Sequence, residues 1–179
     1  MPGASFEAVT GRLGIGAIAF LGLFLIVDGT QIGVFELLEA YGSSVTWGIV
    51  GVVPTAVVIY IVGVFCLGVA ELLLARFAAF RDPEPKDVLA ISRSGGALLQ
   101  QSYADHMRNH ELLKGAAVSF LILSGGAMAE FPNMRGYESI VWLATIGSLA
   151  LSTLSLVFSH RAVAQARHLA RTARSAPDA

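Results

Sequence analysis

The residues best suited to chemistry lie in the run Asp105-His106-Met107-Arg108-Asn109-His110-Glu111. His106 and His110 are four apart, so a helix sets them on one face, where two imidazoles can chelate a divalent ion. Asp105 and Glu111 flank the pair but point about 100° away from it on a helix of 3.6 residues per turn. Two imidazoles are too few for a closed site. The stretch also lacks the glutamate that follows the first histidine in zinc proteases and gives that motif its mechanism. His160 and His168 offer further imidazoles, but nothing in their spacing brings them there. On ligand number the run reads better as a polar helix exposed at a membrane surface, with a metal site at His106 and His110 as the sharper alternative.

Three further polar residues border apolar runs: Asp28 and Gln31 near the end of the first, Glu71 at the end of the second. Ionisable groups inside a membrane span are costly and commonly functional. These three lie near span ends, where an interfacial position costs little, and no charge falls near any midpoint. A proton-coupled transporter is disfavoured on that ground. Thr145, Ser148, Ser152, Ser155 and Ser159 are spaced 3, 4, 3 and 4, a seam of small hydroxyl residues along the last apolar run. Small residues allow close helix approach and hydroxyls bond across the contact, so a packing seam is the first expectation and a water-lined pore face the second. Glycines at 14, 22, 63, 68, 125, 126 and 147 point the same way.

Enzyme signatures are absent. There is no G-x-x-x-x-G-K-[ST], G-x-G-x-x-G or G-x-S-x-G, and Gly14-x-Gly16 sits in an apolar run rather than a phosphate loop. No serine, histidine and aspartate spacing singles out a nucleophile, so no catalytic residue and no cofactor is expected. Cys66, the single cysteine, lies in an apolar run and reads as a small buried residue.

The elements that must position these groups follow from composition. Of 179 residues, 55% are hydrophobic and only 14% charged, against about 25% charged in an ordinary soluble domain; mean hydropathy is +0.67. So little polar surface cannot cover so much apolar side chain in water, whereas lipid accepts it. A bilayer core about 30 Å thick needs roughly 20 apolar residues of helix. Four segments qualify, at about 13–32, 46–70, 112–129 and 140–158. They are too long and too uniformly apolar for barrel strands, which alternate over about ten residues. The first is not followed by a signal-cleavage pattern, because the chain continues Asp28-Gly29-Thr30-Gln31, and it reads as an uncleaved span.

Lys and Arg set the orientation. Arg76, Arg81, Lys86, Arg93, Arg108 and Lys114 fall between spans two and three or at their edge, and Arg161, Arg167, Arg171 and Arg174 follow span four. With Arg12 they share one face of a four-span arrangement, leaving only Arg135 on the other. That basic face is cytoplasmic, so both termini, the 71–111 loop and the 159–179 tail are expected inside, in a multi-pass protein of the cell membrane. Net charge is -1 and gives no reason to expect nucleic acid.

Pro132-Asn133 marks a tight turn between spans three and four. Ile32, Phe35 and Leu38 have helical spacing in the 29–45 connection, as an interfacial helix or an extension of span one. Pro54 is expected to kink span two. Arg81-Asp82-Pro83-Glu84-Pro85-Lys86 breaks any helix leaving span two, and Gly95-Gly96 is a second break. Beyond it, 97–129 has no proline and reads as one helix roughly 50 Å long, projecting about 20 Å past the bilayer. Span four likewise runs on without a breaker. In the tail Arg167, Arg171 and Arg174 share a face, with Val163, Ala166, Leu169 and Ala170 opposite. Pairing with Asp105 and Glu111 would make a cytoplasmic stalk.

The expected fold is all-α, a single membrane domain: an antiparallel four-helix transmembrane bundle with cytoplasmic extensions of spans three and four. The expected function is that of a non-enzymatic membrane subunit, an anchor, sensor or scaffold whose cytoplasmic helices meet a protein partner or other copies of the chain. A small oligomeric channel or transporter is the second reading and a metal-dependent membrane enzyme the third.

Overall fold

The computed structural model describes the backbone of residues 3–30, 45–93 and 96–175, and side-chain surroundings over 9–30, 54–93 and 96–175. Gln31, Gly95 and the 31–44 stretch with Ile32, Phe35 and Leu38 lie outside the described residues. The elements are α1 (Gly3–Thr30), α2 (Val45–Leu74), a 3-10 turn (Ala78–Phe80), α3 (Pro85–Arg93), α4 (Ala97–Ala129) and α5 (Glu138–Ser175). No strand occurs among the described residues. α1, α2, α4 and α5 are each long and apolar enough to cross a membrane.

The long helix over 97–129 has the bounds that the Gly96 break and the Pro132 turn dictate, with Gly96 as its extended N-cap. Glu130, still helical in backbone, closes α4 by donating its N–H to Gly126 O, and Gly136 takes the positive φ (90°) that turns the chain into α5. α2 runs through Pro54 as one helix. The prolines after α2 do not leave an irregular loop. Pro85 begins α3, where its missing N–H costs nothing, and Ile91 of α3 is buried.

Glycine decides where backbones touch. A Cβ on Gly16 of α1 would collide with Ile59 O of α2, and one on Gly63 of α2 with Arg12 O of α1. A Cβ on Gly22 would lie 2.6 Å from the Leu123 Cα of α4, and one on Gly126 would collide with Gly22 O. By contrast Gly14, Gly68, Gly125 and Gly147 face open space. Between these contacts sits a small core of Ile15, Ala19, Cys66, Ala70 and Val118, fringed by Val62, Leu67 and Leu112. Large apolar side chains instead point outward: Phe65, Leu72, Leu143 and Ile146 are 60% exposed or more. Inside-small and outside-large is the distribution expected when the surroundings are as apolar as the core.

Candidate functional site

α4 and α5 form the most extensive helix pair, and the hydroxyl seam is what faces α4. Thr145, Ser148, Ser152, Ser155 and Ser159 are all buried. Ser152 Oγ donates to Ala117 O (2.9 Å), a polar bond from side chain to the backbone of the facing helix. Further along, Ser159 meets His110.

His110 is wholly buried, which corrects the expectation of an exposed polar face at this position. Its Nδ1 lies 3.0 Å from Ser159 O and 2.8 Å from Ser159 Oγ, and its Nε2 lies 3.2 Å from Phe80 O. Ser159 Oγ is also 3.2 Å from His110 O. Burial and the nearby Lys114 charge lower the proton affinity of the ring and favour its neutral form. In the neutral form Nε2–H donates to Phe80 O while the serine hydroxyl donates to Nδ1. In the charged form both nitrogens donate to carbonyls and the hydroxyl turns to His110 O. His106, a turn away and half-buried, does not join this cluster, and among the described residues no three His, Cys, Asp or Glu side chains converge as metal ligands.

One turn further along α4, Lys114 is 3% exposed. Its Nζ donates to Glu71 Oε2 of α2 at 2.6 Å and lies 3.9 Å from Asp82 Oδ1. The same Asp82 oxygen is 3.7 Å from His110 Nε2. A buried ammonium is tolerated only when paired, and Glu71 and Asp82 supply the pairing from two different segments.

The 3-10 turn is held carbonyl by carbonyl. Ala78 O accepts from Arg167 Nη2 (3.0 Å), Ala79 O accepts from His160 Nδ1 (3.2 Å) and Phe80 O from His110; Arg167 Nη2 also donates to Arg81 O. The Phe80 and His160 rings add an edge-to-face contact with centroids 6.0 Å apart. The carbonyls at the end of a helical turn lack internal partners and carry partial negative charge. Cationic and N–H side chains from α4 and α5 meet that need. The result is a clasp. The segment leaving α2 is fastened to the far ends of α4 and α5, and Val163, Ala166 and Ala170 are fully buried on α5 beneath it and α3.

Several sequence candidates take other places. Arg167 is bound to the turn carbonyls rather than to Asp105 or Glu111. Asp105 pairs with Arg108 on its own helix at 3.2 Å. Glu111, Arg171 and Arg174 are exposed. Burial raises the proton affinity of the Glu130 carboxyl, and Asp28 of α1 lies near enough for its charge to raise it further. Glu130, Lys114 and the 3-10 turn were not singled out by type and spacing, and His160 only as a further imidazole for a metal site. A lone lysine or glutamate at a span end looks like interfacial charge, and carbonyl acceptors leave no trace in a sequence. Comparison with protein-family models, with curated proteins and with solved structures finds no match.

Proposed function

We propose that this chain is a non-enzymatic, multi-pass membrane subunit of the cell membrane. Its four long helices form an antiparallel transmembrane bundle, with both termini and the clasp on the cytoplasmic side. Opposed pairings support the arrangement: His110 with Ser159 and Ala117 with Ser152 step in opposite senses along α4 and α5. Gly22 beside Leu123 and Gly29 beside Ala129 step in the same sense along α1 and α4. On α4 the 115–129 stretch between Lys114 and Glu130 carries no charge. Lys114 and Glu130 are about 24 Å apart at 1.5 Å per residue, most of the roughly 30 Å of a hydrocarbon core.

The observation that carries the functional reading is the clasp. It locks the 75–93 segment onto the projecting ends of α4 and α5, giving a fixed helical platform outside the apolar zone. A preorganised surface loses little entropy on meeting a partner. Anchoring, sensing or scaffolding by contact with a protein partner or other copies of the chain follows from such a platform. The burial of the hydroxyl seam against α4 favours this over a pore lined by the same residues.

Single cysteines at Ser43 and Asn133 should label from outside and at Lys86 and Ser175 from inside. Labelling of Lys86 and Ser175 from opposite faces would remove the four-span arrangement. Purified protein in liposomes should pass no ions above empty vesicles, and removal of residues 162–179 should break partner or self-association seen in native membranes. Selective flux would instead favour a small oligomeric channel.

A further inference from the structure

The sequence sets Arg12 just before the apolar run of α1, but packing carries it further in. Its carbonyl oxygen abuts Gly63 of α2, eight residues before Glu71 and about 12 Å along the helix from it. There Arg12 Nη1 donates to the phenol oxygen of Tyr60 at 3.1 Å. Among the described residues this is the only hydrogen bond of the guanidinium, and no carboxylate pairs with it. Glu71, the acidic residue of α2, is engaged by Lys114. A guanidinium has five N–H donors, and a phenol that accepts one bond keeps its own O–H to donate. Arg12 and Tyr60 thus present adjacent donors and one positive charge, with no negative charge among them.

What surrounds the pair is apolar and open. Val57, Tyr60, Ile61 and Val64 follow i, i+3, i+4, i+7 spacing on α2 and share one stripe, and Val57, Ile61 and Val64 are all exposed. A cation among apolar side chains needs a counter-charge, and an arginine at a span draws headgroup and water inward, with the bilayer thinning around it. We propose that Arg12 and Tyr60 hold the phosphate of an anionic phospholipid, with its acyl chains against the Val57, Ile61 and Val64 stripe. The guanidinium supplies the charge and the fork of donors that suit a phosphate, and the phenol O–H adds a neutral donor beside it. The leaflet is the one nearest the start of α1, cytoplasmic in the orientation proposed above. The site rests on that membrane placement of α1 and α2.

The test uses full-length protein in detergent, mixed with equal amounts of phosphatidylglycerol and phosphatidylcholine of the same acyl chains. Bound lipid is counted by native mass spectrometry. One phosphatidylglycerol should be retained in preference to phosphatidylcholine. Arg12→Gln should lower its affinity roughly tenfold, the scale of one hydrogen bond to a charged group, and Tyr60→Phe about threefold. Tyr60→Phe keeps the ring and removes one oxygen, so it reports even where Arg12→Gln disturbs packing. Arg76→Gln and Arg161→Gln remove exposed basic residues and should leave that lipid in place. No preference in the wild type, a preference that survives both Arg12→Gln and Tyr60→Phe, or an equal loss in Arg76→Gln or Arg161→Gln overturns the site. So does a rise in Tm with inorganic phosphate equal to that with phosphatidylglycerol, which would make it a free-anion site. Release of the chain from native membranes by alkaline carbonate would instead remove the membrane placement, and the site with it.

Discussion

The Ser159 hydroxyl lies 2.8 Å from the His110 ring and 3.2 Å from the carbonyl oxygen of the same residue, so one serine of α5 engages both side chain and backbone of one residue of α4. This junction is where the apolar packing of α4 and α5 gives way to the clasp, and its removal should be felt in both.

Ser159→Ala should destabilise the protein by about 1–3 kcal/mol, the usual penalty for orphaning a buried polar partner. His110→Phe should also free the Phe80 carbonyl and loosen the segment leaving α2. Trypsin cleavage at Arg81, Lys86 and Arg93 should then accelerate at temperatures where the helices remain folded. Arg167→Ala should accelerate the same cleavages with little change in Tm, because its bonds are exposed. Glu111→Ala should do neither. Unchanged cleavage in both His110→Phe and Arg167→Ala would mean that the clasp does not hold the segment.

The Lys114–Glu71 pair ties α4 to α2. Lys114→Met and Glu71→Gln should each lower stability, and the double variant should lose less than the sum. A double-mutant cycle should return a coupling of about 1.5–3 kcal/mol, the range for hydrogen bonds to charged groups. Additive losses would show that the two side chains do not act together.

Helix contact should depend on which glycine is changed. Gly63→Val and Gly22→Val force a side chain into the backbone of a neighbouring helix and should cost about 1–3 kcal/mol or more through overpacking. Gly14→Val and Gly147→Val face open space and should be nearly neutral by thermal unfolding in detergent. Equal losses at all four positions would contradict the contacts seen at Gly22 and Gly63.

The raised proton affinity of Glu130 has a defined sign in stability. The folded state holds its proton above the ordinary value of 4.5, at pH values where the unfolded chain has released it. Stability therefore falls as pH rises from that value towards the raised one, since the native state binds more protons there. Glu130→Gln should flatten this slope relative to wild type in melting curves taken across acid to neutral pH. A wild-type slope of opposite sign over that window, or an identical slope in the variant, would refute the assignment.

Much of the helical layout was written in local composition. Four apolar runs, the Gly96 break and the Pro132 turn mark α4 because each acts on its own few residues. The Thr145–Ser159 seam was legible because helical periodicity alone puts those hydroxyls on one face. What required the structure was long-range. Pro83 and Pro85 read as interruption, yet Pro85 opens α3, since proline stops a helix before it but suits the first turn after it. His110 read as exposed because its partners, Phe80 and Ser159, are distant in sequence. The glycines divided by helix phase: Gly22, Gly63 and Gly126 meet backbone while Gly14, Gly68, Gly125 and Gly147 do not, and no residue type distinguishes the two groups. Arg167 matched acidic candidates by charge, but main-chain oxygens took that role.

Lys114 and Glu130 belong to the same uninterrupted helix, at a separation of about 24 Å set by its 1.5 Å rise. α4 therefore works as a strut with a chemical fitting at each end. Sliding it far enough to part Lys114 from Glu71 would also carry Glu130 past Asp28. The two ends of α4 are mechanically in series, and a disturbance at either reaches the other as displacement of one rigid body, without any relay of side chains along the apolar stretch between them.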